Sequence, residues 1–213
     1  MARIGKVFCL LLMVAVGPRA GTASDVTVLA LGDSLTQGYG LPEHHGFVPQ
    51  LEAWLKRKGV AVDVINAGVS GDTTAGGAAR VDWSLTPDVD AMIVALGGND
   101  LLRGIDPEVS RENLETILES AAAQEVPVLL VGLDAPSNYG PDYKRAFDAI
   151  YPDLSQAYDT LYAKDFFGGL PDRDPSKLRE YFQADGIHPN KEGVTLIVEE
   201  LGPDVLRLIA RTK

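Results

Sequence analysis

The amino-acid sequence predicts an α/β protein: a single three-layer α/β/α sandwich with a central parallel sheet. Apolar, β-branched runs of strand length alternate with longer segments whose apolar residues recur at helical spacing. Glycine-rich turns follow several of these runs, and no repeat or low-complexity linker divides the 213 residues. Strands that alternate with helices imply right-handed crossovers, so we expect parallel strands with helices on both faces of the sheet.

The predicted elements follow in order from a strand over residues 28–31. This strand ends in a tight turn at Gly32-Asp33-Ser34, which opens a short helix and is followed by a loop that carries His44-His45. A last helix begins after Asn190, a plausible N-cap, and we expect Gly202-Pro203 to interrupt it. Between these lie helix 48–58, strand 60–65, helix 75–81, strand 89–96, helix 107–124, strand 126–133, loop 134–141, helix 142–162 and loop 168–176.

The first two dozen residues have the layout of a secretory signal peptide. Arg3 and Lys6 precede an apolar run over residues 7–16, and the small residues that follow predict cleavage after Ala23 or Ser24. The alternative is an uncleaved anchor, but a bilayer span takes about 20 apolar residues. We therefore expect residues 1–24 to be a signal peptide, residues 25–213 to be one periplasmic or secreted domain, and no stable membrane insertion.

Charge and cysteine content exclude several function classes. The chain has 19 Lys and Arg against 30 Asp and Glu, a formal net charge of −11, and no basic cluster suited to a phosphate backbone. Nucleic acid is therefore not an expected partner, and anionic lipid is disfavoured. Cys9, the only cysteine, would leave with the signal peptide, which excludes a cysteine nucleophile and a cysteine-based zinc site. We expect a monomer that acts on a small-molecule substrate.

Three glycine-rich turns, at Ser34, Gly71 and Asn99, each follow a predicted strand. Loops after the carboxyl ends of parallel strands share one edge of the sheet, so these turns should face one another. Ser34 would sit at a helix N-terminus, which favours negative charge, although after Gly-Asp it is also a common helix N-cap. Gly71 lets its backbone N–H approach a substrate closely, and Asn99 adds an amide donor. Together they would give three donors around one oxyanion.

A general base is needed beside such a serine, and the chain has only three histidines. His44 and His45 are adjacent in a loop, whereas His188 follows Asp185 by three residues. That spacing lets the carboxylate accept a hydrogen bond from one imidazole nitrogen while the other nitrogen faces a nucleophile. His188 is therefore the predicted base.

Four blocks in this order resemble the GDSL family of SGNH hydrolases: Gly32-Asp33-Ser34-Leu35, Ser70-Gly71-Asp72, Gly97-Gly98-Asn99-Asp100 and Asp185-Gly186-Ile187-His188-Pro189-Asn190. The longer strings around the first three blocks resemble the secreted bacterial branch, known as arylesterase, acyl-thioesterase and lysophospholipase. The resemblance covers essentially the whole mature chain, and Leu101 replaces a glycine common in close relatives.

The resemblance implies a flavodoxin-like SGNH hydrolase fold and a serine hydrolase of carboxylic and thio esters. It implies Ser34 as the nucleophile, Asp185 and His188 as the rest of a catalytic triad, and Ser34, Gly71 and Asn99 as oxyanion donors. No metal or organic cofactor is implied.

The substrate site should be lined by Leu101, Leu102, Arg103, Ile187 and residues 136–143, which offer mainly apolar and aromatic surface. An apolar groove favours medium-length acyl chains over acetate. The alternative within enzymes is a carbohydrate O-acetylesterase that uses the same site. A catalytically dead ligand-binding module would need a broken triad, and all the triad residues are present.

Other motifs argue against competing chemistries. The sequence has no G-x-S-x-G nucleophile elbow, which argues against the α/β-hydrolase fold. It also has no G-x-x-x-x-G-K-[ST] motif, so the glycine-rich turns are not a nucleotide-binding phosphate loop. His44-His45 could in principle ligate a metal, but a solvent-facing loop is favoured because sequence neighbours rarely converge on one ion.

Two further groups of residues have alternative interpretations. Asp33, Asp72 and Asp100 could form a carboxylate metal cluster, and we favour turn-capping roles for them instead. Phe166, Phe167 and Leu170 could line an acyl pocket, and core packing is the favoured interpretation.

Overall fold

A computed structural model describes Met1 and residues 26–171 and 179–212. Within these residues, five parallel strands form one sheet in the order β2-β1-β3-β4-β5. This is the flavodoxin-like strand order, and its switch point lies between β1 and β3. The predicted signal peptide lies outside the described residues apart from Met1. The strands are β1 (Val26–Gly32), β2 (Val62–Gly68), β3 (Ala91–Ala95), β4 (Val128–Val131) and β5 (Leu161–Ala163).

Helices cover both faces of the sheet, as the sequence predicts. The crossover from β1 to β2 runs opposite to the later crossovers, which places α2 on the other face from α3, α5 and α6. Helix α2 packs on α7, while α3 packs on α5 and α5 on α6. The helices are α1 (Ser34–Gln37), α2 (Phe47–Arg57), α3 (Thr74–Ser84), α4 (Gly98–Arg103), α5 (Pro107–Ala123), α6 (Pro141–Ala157) and α7 (Lys191–Ile209), with 3₁₀ turns at Glu43–His45, Ser137–Tyr139 and Arg179–Tyr181. The α/β/α sandwich is therefore confirmed.

The core lies on both faces of the central strands. All five residues of β3 are buried, and so are the last five residues of β1. Strands that are covered on both faces read as continuous apolar runs rather than as alternating patterns. In the described part of the chain, no helix is both long enough and apolar enough to span a bilayer.

The predicted helix over residues 142–162 is wrong at its C-terminal end. Helix α6 ends at Ala157, Asp159 adopts a left-handed backbone with φ of 50°, and Leu161–Ala163 forms β5. Leu161 pairs with Leu129 of β4. A three-residue strand is too short to show its own periodicity, so its pairing with a distant strand decides its structure.

The predicted interruption at Gly202-Pro203 is also wrong, because α7 continues through both residues. Pro203 removes only one helical hydrogen bond, the one to the carbonyl of the exposed Glu199. Gly202 lies against α2, where a Cβ atom would stand 2.7 Å from the Trp54 ring. Glycine is therefore at the closest approach of two packed helices, and this packing outweighs its low helix propensity.

Candidate active site

Ser34 is the first residue of α1, directly after the turn that ends β1. The N-cap is Asp33, whose carboxylate accepts a hydrogen bond from the Leu35 N–H at 2.9 Å. A Cβ on Gly32 would collide with the Thr36 side chain, so the turn into the helix requires glycine. Asp33 therefore performs the capping role that the sequence left open for Ser34, and the Ser34 hydroxyl is available to the cleft.

His188 lies between Ser34 and Asp185. Its Nε2 atom is 2.9 Å from Ser34 Oγ, and its Nδ1 atom is 2.7 Å from Asp185 Oδ2. The second carboxylate oxygen of Asp185 accepts hydrogen bonds from the N–H groups of Ile187 and His188. The bond with the His188 ring, followed by these backbone bonds, lowers the pKa of Asp185 to about 2. Asp185 is therefore ionised and fixed in orientation.

Two residues outside the four sequence blocks support the His188 loop. The Tyr39 ring packs against the His188 ring with centroids 4.6 Å apart. Gln183 donates from Nε2 to the carbonyls of Tyr39, at 2.7 Å, and Pro189, at 3.1 Å. The glycine at position 40 is the one sign in the sequence of the contact between Gln183 and Tyr39, and it is a weak one. A Cβ on Gly40 would collide with the Gln183 amide.

Gly71 and Asn99 lie beside Ser34, as predicted from the shared edge of the sheet. Gly71 follows β2 with φ of 85°, and Asn99 is the second residue of α4. The Asn99 amide nitrogen donates to the carbonyl of Asp72 at 2.9 Å and to the Asp33 carboxylate at 3.3 Å. Ser34, Gly71, Asn99 and His188 all line one cleft.

Asp33 is a buried carboxyl next to the proposed nucleophile. Burial raises its pKa to about 6, against hydrogen bonds from Leu35 and Asn99 and the nearby His188, which all lower it. The charge of buried Asp100 adds to the rise.

The three motif carboxylates have separate protein partners. Asp100 accepts from the Thr74 N–H at 2.9 Å, the Thr74 hydroxyl at 2.6 Å and the Ser110 hydroxyl at 3.1 Å, and it thereby holds the start of α3. Asp72 is paired with Arg80 at 2.8 Å. These bonds support the turn-capping interpretation over a carboxylate metal cluster. Across residues 26–171 and 179–212, no group of three or more His, Cys, Asp or Glu could hold a metal ion.

The cleft has a volume of about 810 Å³. Three of the four predicted substrate-binding residues, Leu101, Leu102 and Ile187, line it, but Arg103 does not. Arg103 instead donates from Nη2 to the carbonyl of Gly71 at 2.8 Å. The lining residues are Asp33, Ser34, Leu35, Tyr39, Ser70, Gly71, Gly98, Asn99, Leu101, Leu102, Leu133, Asp134, Pro136, Asn138, Tyr139, Asp165, Phe167, Leu170, Phe182, Ile187 and His188.

Three aromatic and apolar residues after β5 divide between the core and the cleft. Phe166 is buried and packs against Phe47, with ring centroids 5.3 Å apart. Phe167 and Leu170 are partly buried against the core and also line the cleft, so core packing describes all three residues and the cleft adds a second role for two of them. The pair His44-His45 lies in a 3₁₀ turn and does not line the cleft.

Comparison with known proteins gives consistent matches. The model of the GDSL-like Lipase/Acylhydrolase family matches residues 30–196. The chain is 36% identical to Esterase TesA of Pseudomonas aeruginosa over 188 residues, which make up 88% of this chain and 91% of that protein. It is 33% identical over 185 residues to Thioesterase 1/protease 1/lysophospholipase L1 of Escherichia coli, covering 86% of this chain and 85% of that protein.

A solved structure gives the same result in three dimensions. AlinE4, a SGNH-hydrolase family esterase, is 41% identical and matches with a TM-score of 0.71 over 86% of this chain and 96% of that chain. The residues matched by the family model include every residue of the cleft described above.

Proposed function

Because the chain belongs to the GDSL-like Lipase/Acylhydrolase family and is a carboxylic ester hydrolase, we propose that Ser34, His188 and Asp185 carry out its reaction. The observation that carries the proposal is the distance of 2.9 Å from Ser34 Oγ to His188 Nε2. The other ring nitrogen, His188 Nδ1, is 2.7 Å from Asp185 Oδ2. We also propose that the enzyme acts in the periplasm or outside the cell, as the predicted signal peptide implies.

In the acylation step, neutral His188 accepts the hydroxyl proton of Ser34 at Nε2, and Ser34 Oγ attacks the acyl carbon. Asp185 accepts the Nδ1–H hydrogen bond throughout, which selects the tautomer with a free Nε2 and stabilises the imidazolium that forms. The oxyanion accepts hydrogen bonds from the N–H groups of Ser34 and Gly71 and from the Asn99 amide.

In the second half of the reaction, His188 returns the proton to the departing alcohol or thiol. A water molecule then replaces the leaving group, His188 removes its proton, and the water oxygen attacks the acyl-Ser34 carbonyl. As this second tetrahedral intermediate collapses, His188 returns the proton to Ser34 Oγ, the bond between Oγ and the acyl carbon breaks, and the acid leaves. The same donors stabilise both tetrahedral intermediates, so one set of residues serves both steps. These residues carry the whole cycle without a metal or organic cofactor.

The cleft supports a medium-length acyl chain in preference to acetate. Apolar side chains that follow β4 and β5 also line the cleft, among them Leu133, Phe167 and Leu170. Each buried methylene stabilises binding by roughly 0.8 kcal/mol, so kcat/KM should rise with each acyl carbon until the groove is full. We propose that aryl and thio esters of medium-length acids are the preferred substrates.

Covalent labelling tests the nucleophile. A fluorophosphonate should modify one residue, Ser34, because a serine reacts readily only beside a base and an oxyanion hole. Ser34→Ala should abolish the adduct in intact-mass analysis. Ser70→Ala is the matched control, since Ser70 lines the same cleft, and it should keep the adduct. An adduct that persists in Ser34→Ala would remove Ser34 from the mechanism.

A substrate series tests the specificity. We expect p-nitrophenyl esters from two carbons upward to be cleaved with rising kcat/KM, alongside a lysophospholipid and an acetylated polysaccharide. A steep preference for acetate, together with deacetylation of the polysaccharide, would favour a carbohydrate O-acetylesterase instead.

A further inference from the structure

The loop after β2, residues 70–72, is held to α4 by two neighbouring hydrogen bonds. The carbonyl of Gly71 accepts from Arg103 Nη2 at 2.8 Å, and the carbonyl of Asp72 accepts from Asn99 Nδ2 at 2.9 Å. Asn99 and Arg103 are four residues apart, so both side chains leave the same face of α4. Consecutive carbonyls of one loop are therefore bound by one short helix.

The peptide group between Gly71 and Asp72 is held from both of its polar atoms. Its N–H, that of Asp72, donates to the carbonyl of Val69 at 3.1 Å and closes a turn, and its carbonyl, that of Gly71, accepts from Arg103. The φ of Gly71, 85°, lies in the left-handed region, which glycine adopts without the steric cost that a Cβ would add. Leaving aside its chain neighbours, a Cβ on Gly71 would have one heavy atom of the described chain within 4 Å, namely Arg103 Nη2 at 3.8 Å. Within the described residues, the orientation of this peptide therefore depends on the turn bond to Val69 and on the bond from Arg103, and Arg103 is the side chain that binds it.

We propose that Arg103 is a positioning residue for the oxyanion hole. By fixing the carbonyl of Gly71, its guanidinium holds the Gly71 backbone angles, and these angles direct the Gly71 N–H into the cleft. A hydrogen bond from a charged donor is stronger than a neutral one, which suits a loop that is exposed to solvent. The inference rests on the proposed function, in which the Gly71 N–H binds the oxyanion.

The geometry also separates this role from substrate binding. Arg103 is exposed and does not line the cleft, whereas its helix neighbours Leu101 and Leu102 do. A residue that bound substrate would mainly change KM. A residue that aligns an oxyanion donor changes kcat, because the donor acts chiefly in the transition state.

The test compares Arg103→Met, Arg103→Lys and Arg103→Ala with wild type on a p-nitrophenyl ester. We expect Arg103→Met to lower kcat roughly 10-fold, less than the 10²–10³-fold loss on deleting an oxyanion donor, with KM nearly unchanged. Arg103→Lys should recover part of the loss because its ammonium can still donate to the Gly71 carbonyl. Guanidinium at millimolar concentration, far below unfolding concentrations, should restore part of the activity of Arg103→Ala.

Two controls complete the experiment. Arg111→Met removes an arginine that pairs with Asp153 on the surface, at 2.9 Å, and it should leave kcat unchanged. If Arg103→Met raises KM with kcat intact, or matches wild type in both constants, the positioning role is overturned. Ser34→Ala in the same assay separates the two proposals. Activity in Ser34→Ala would overturn both, whereas an inactive Ser34→Ala beside a fully active Arg103→Met would overturn only the role of Arg103.

Discussion

The buried carboxyl of Asp33 should make the free energy of unfolding fall as the pH rises through about 6. Only 2% of Asp33 is exposed, and burial raises its pKa from 3.8 to about 6. Below pH 3.8 the carboxyl is protonated in both the folded and the unfolded chain. Between the two values only the folded chain holds the proton, and above about 6 neither state does. The stabilisation is thus fully present at low pH and is lost as pH rises through the folded pKa.

The magnitude follows from the size of the shift. About two pKa units correspond to roughly 3 kcal/mol at 25 °C. Asp33→Asn removes the titration while keeping a side-chain oxygen that can accept the Leu35 N–H. In wild type the Asn99 amide nitrogen donates to Asp33, whereas in Asp33→Asn the new side-chain NH₂ group would face that donor. This mismatch lowers the free energy of unfolding of the variant by an amount that does not vary with pH. The pH dependence of the difference, rather than its absolute size, therefore measures the charge.

Urea unfolding at closely spaced pH values from 4 to 8 gives the required comparison. The free energy of unfolding of Asp33→Asn minus that of wild type should rise by roughly 2.5 kcal/mol across this range, because part of the full change lies below pH 4, and its midpoint should lie near pH 5. Asp153→Asn removes a carboxylate whose side chain is 58% exposed and serves as the control. Parallel stability curves for Asp33→Asn and wild type would show that burial does not shift the ionisation of Asp33.

Three other predictions concern the site and the packing of the fold. Asn99→Ala should lower kcat by about 10²–10³-fold with a smaller change in KM, measured on a p-nitrophenyl ester; a rise in KM alone would indicate ground-state binding. Asp185, whose pKa is lowered to about 2, should support folding above its usual value of 3.8 and lose that effect as pH falls through about 2. Acid unfolding should therefore begin at higher pH in Asp185→Asn than in wild type, and coincident curves would contradict this. Gly202→Ala should destabilise the fold by roughly 1–3 kcal/mol in urea, because its Cβ would meet the Trp54 ring; an unchanged midpoint would show that the helices can separate.

The meeting of Ser34, Gly71 and Asn99 could be predicted because it depends on topology. Each residue follows a strand, and parallel strands bring their carboxyl ends to one edge whatever the side chains between them. The approach of His188 to Ser34 was supported in the sequence by the spacing of Asp185 and His188 and by the family resemblance, and not by topology. The contacts from Tyr39 and Gln183 that hold the His188 loop join positions 144 residues apart, so no local pattern predicts them.

Arg103 shows how a local pattern can mislead. It follows Leu101-Leu102 in the sequence, and this string suggested one continuous cleft wall. In α4 the side chains separate by helical period: Arg103 shares a face with Asn99, four residues earlier, and turns toward the Gly71 loop. The strand at Leu161–Ala163 and the unbroken helix at Gly202 escaped prediction for a related reason. In both places, packing against a distant segment outweighs the local propensity.

Helix α4 joins the two tasks that the proposed reaction requires. Asn99 and Arg103 face the loop that carries Gly71, whereas Leu101 and Leu102 face the cleft that would hold the acyl chain. Leu101 is only 9% exposed and belongs to the buried core, so it also packs the helix in place. On the proposed mechanism, an acyl chain in contact with this helix would also act on the side chains that hold the Gly71 loop. The residues that would contact the acyl chain and the residues that hold the Gly71 loop belong to the same six-residue helix. On the proposed mechanism, the length of the acyl chain should therefore change kcat as well as KM.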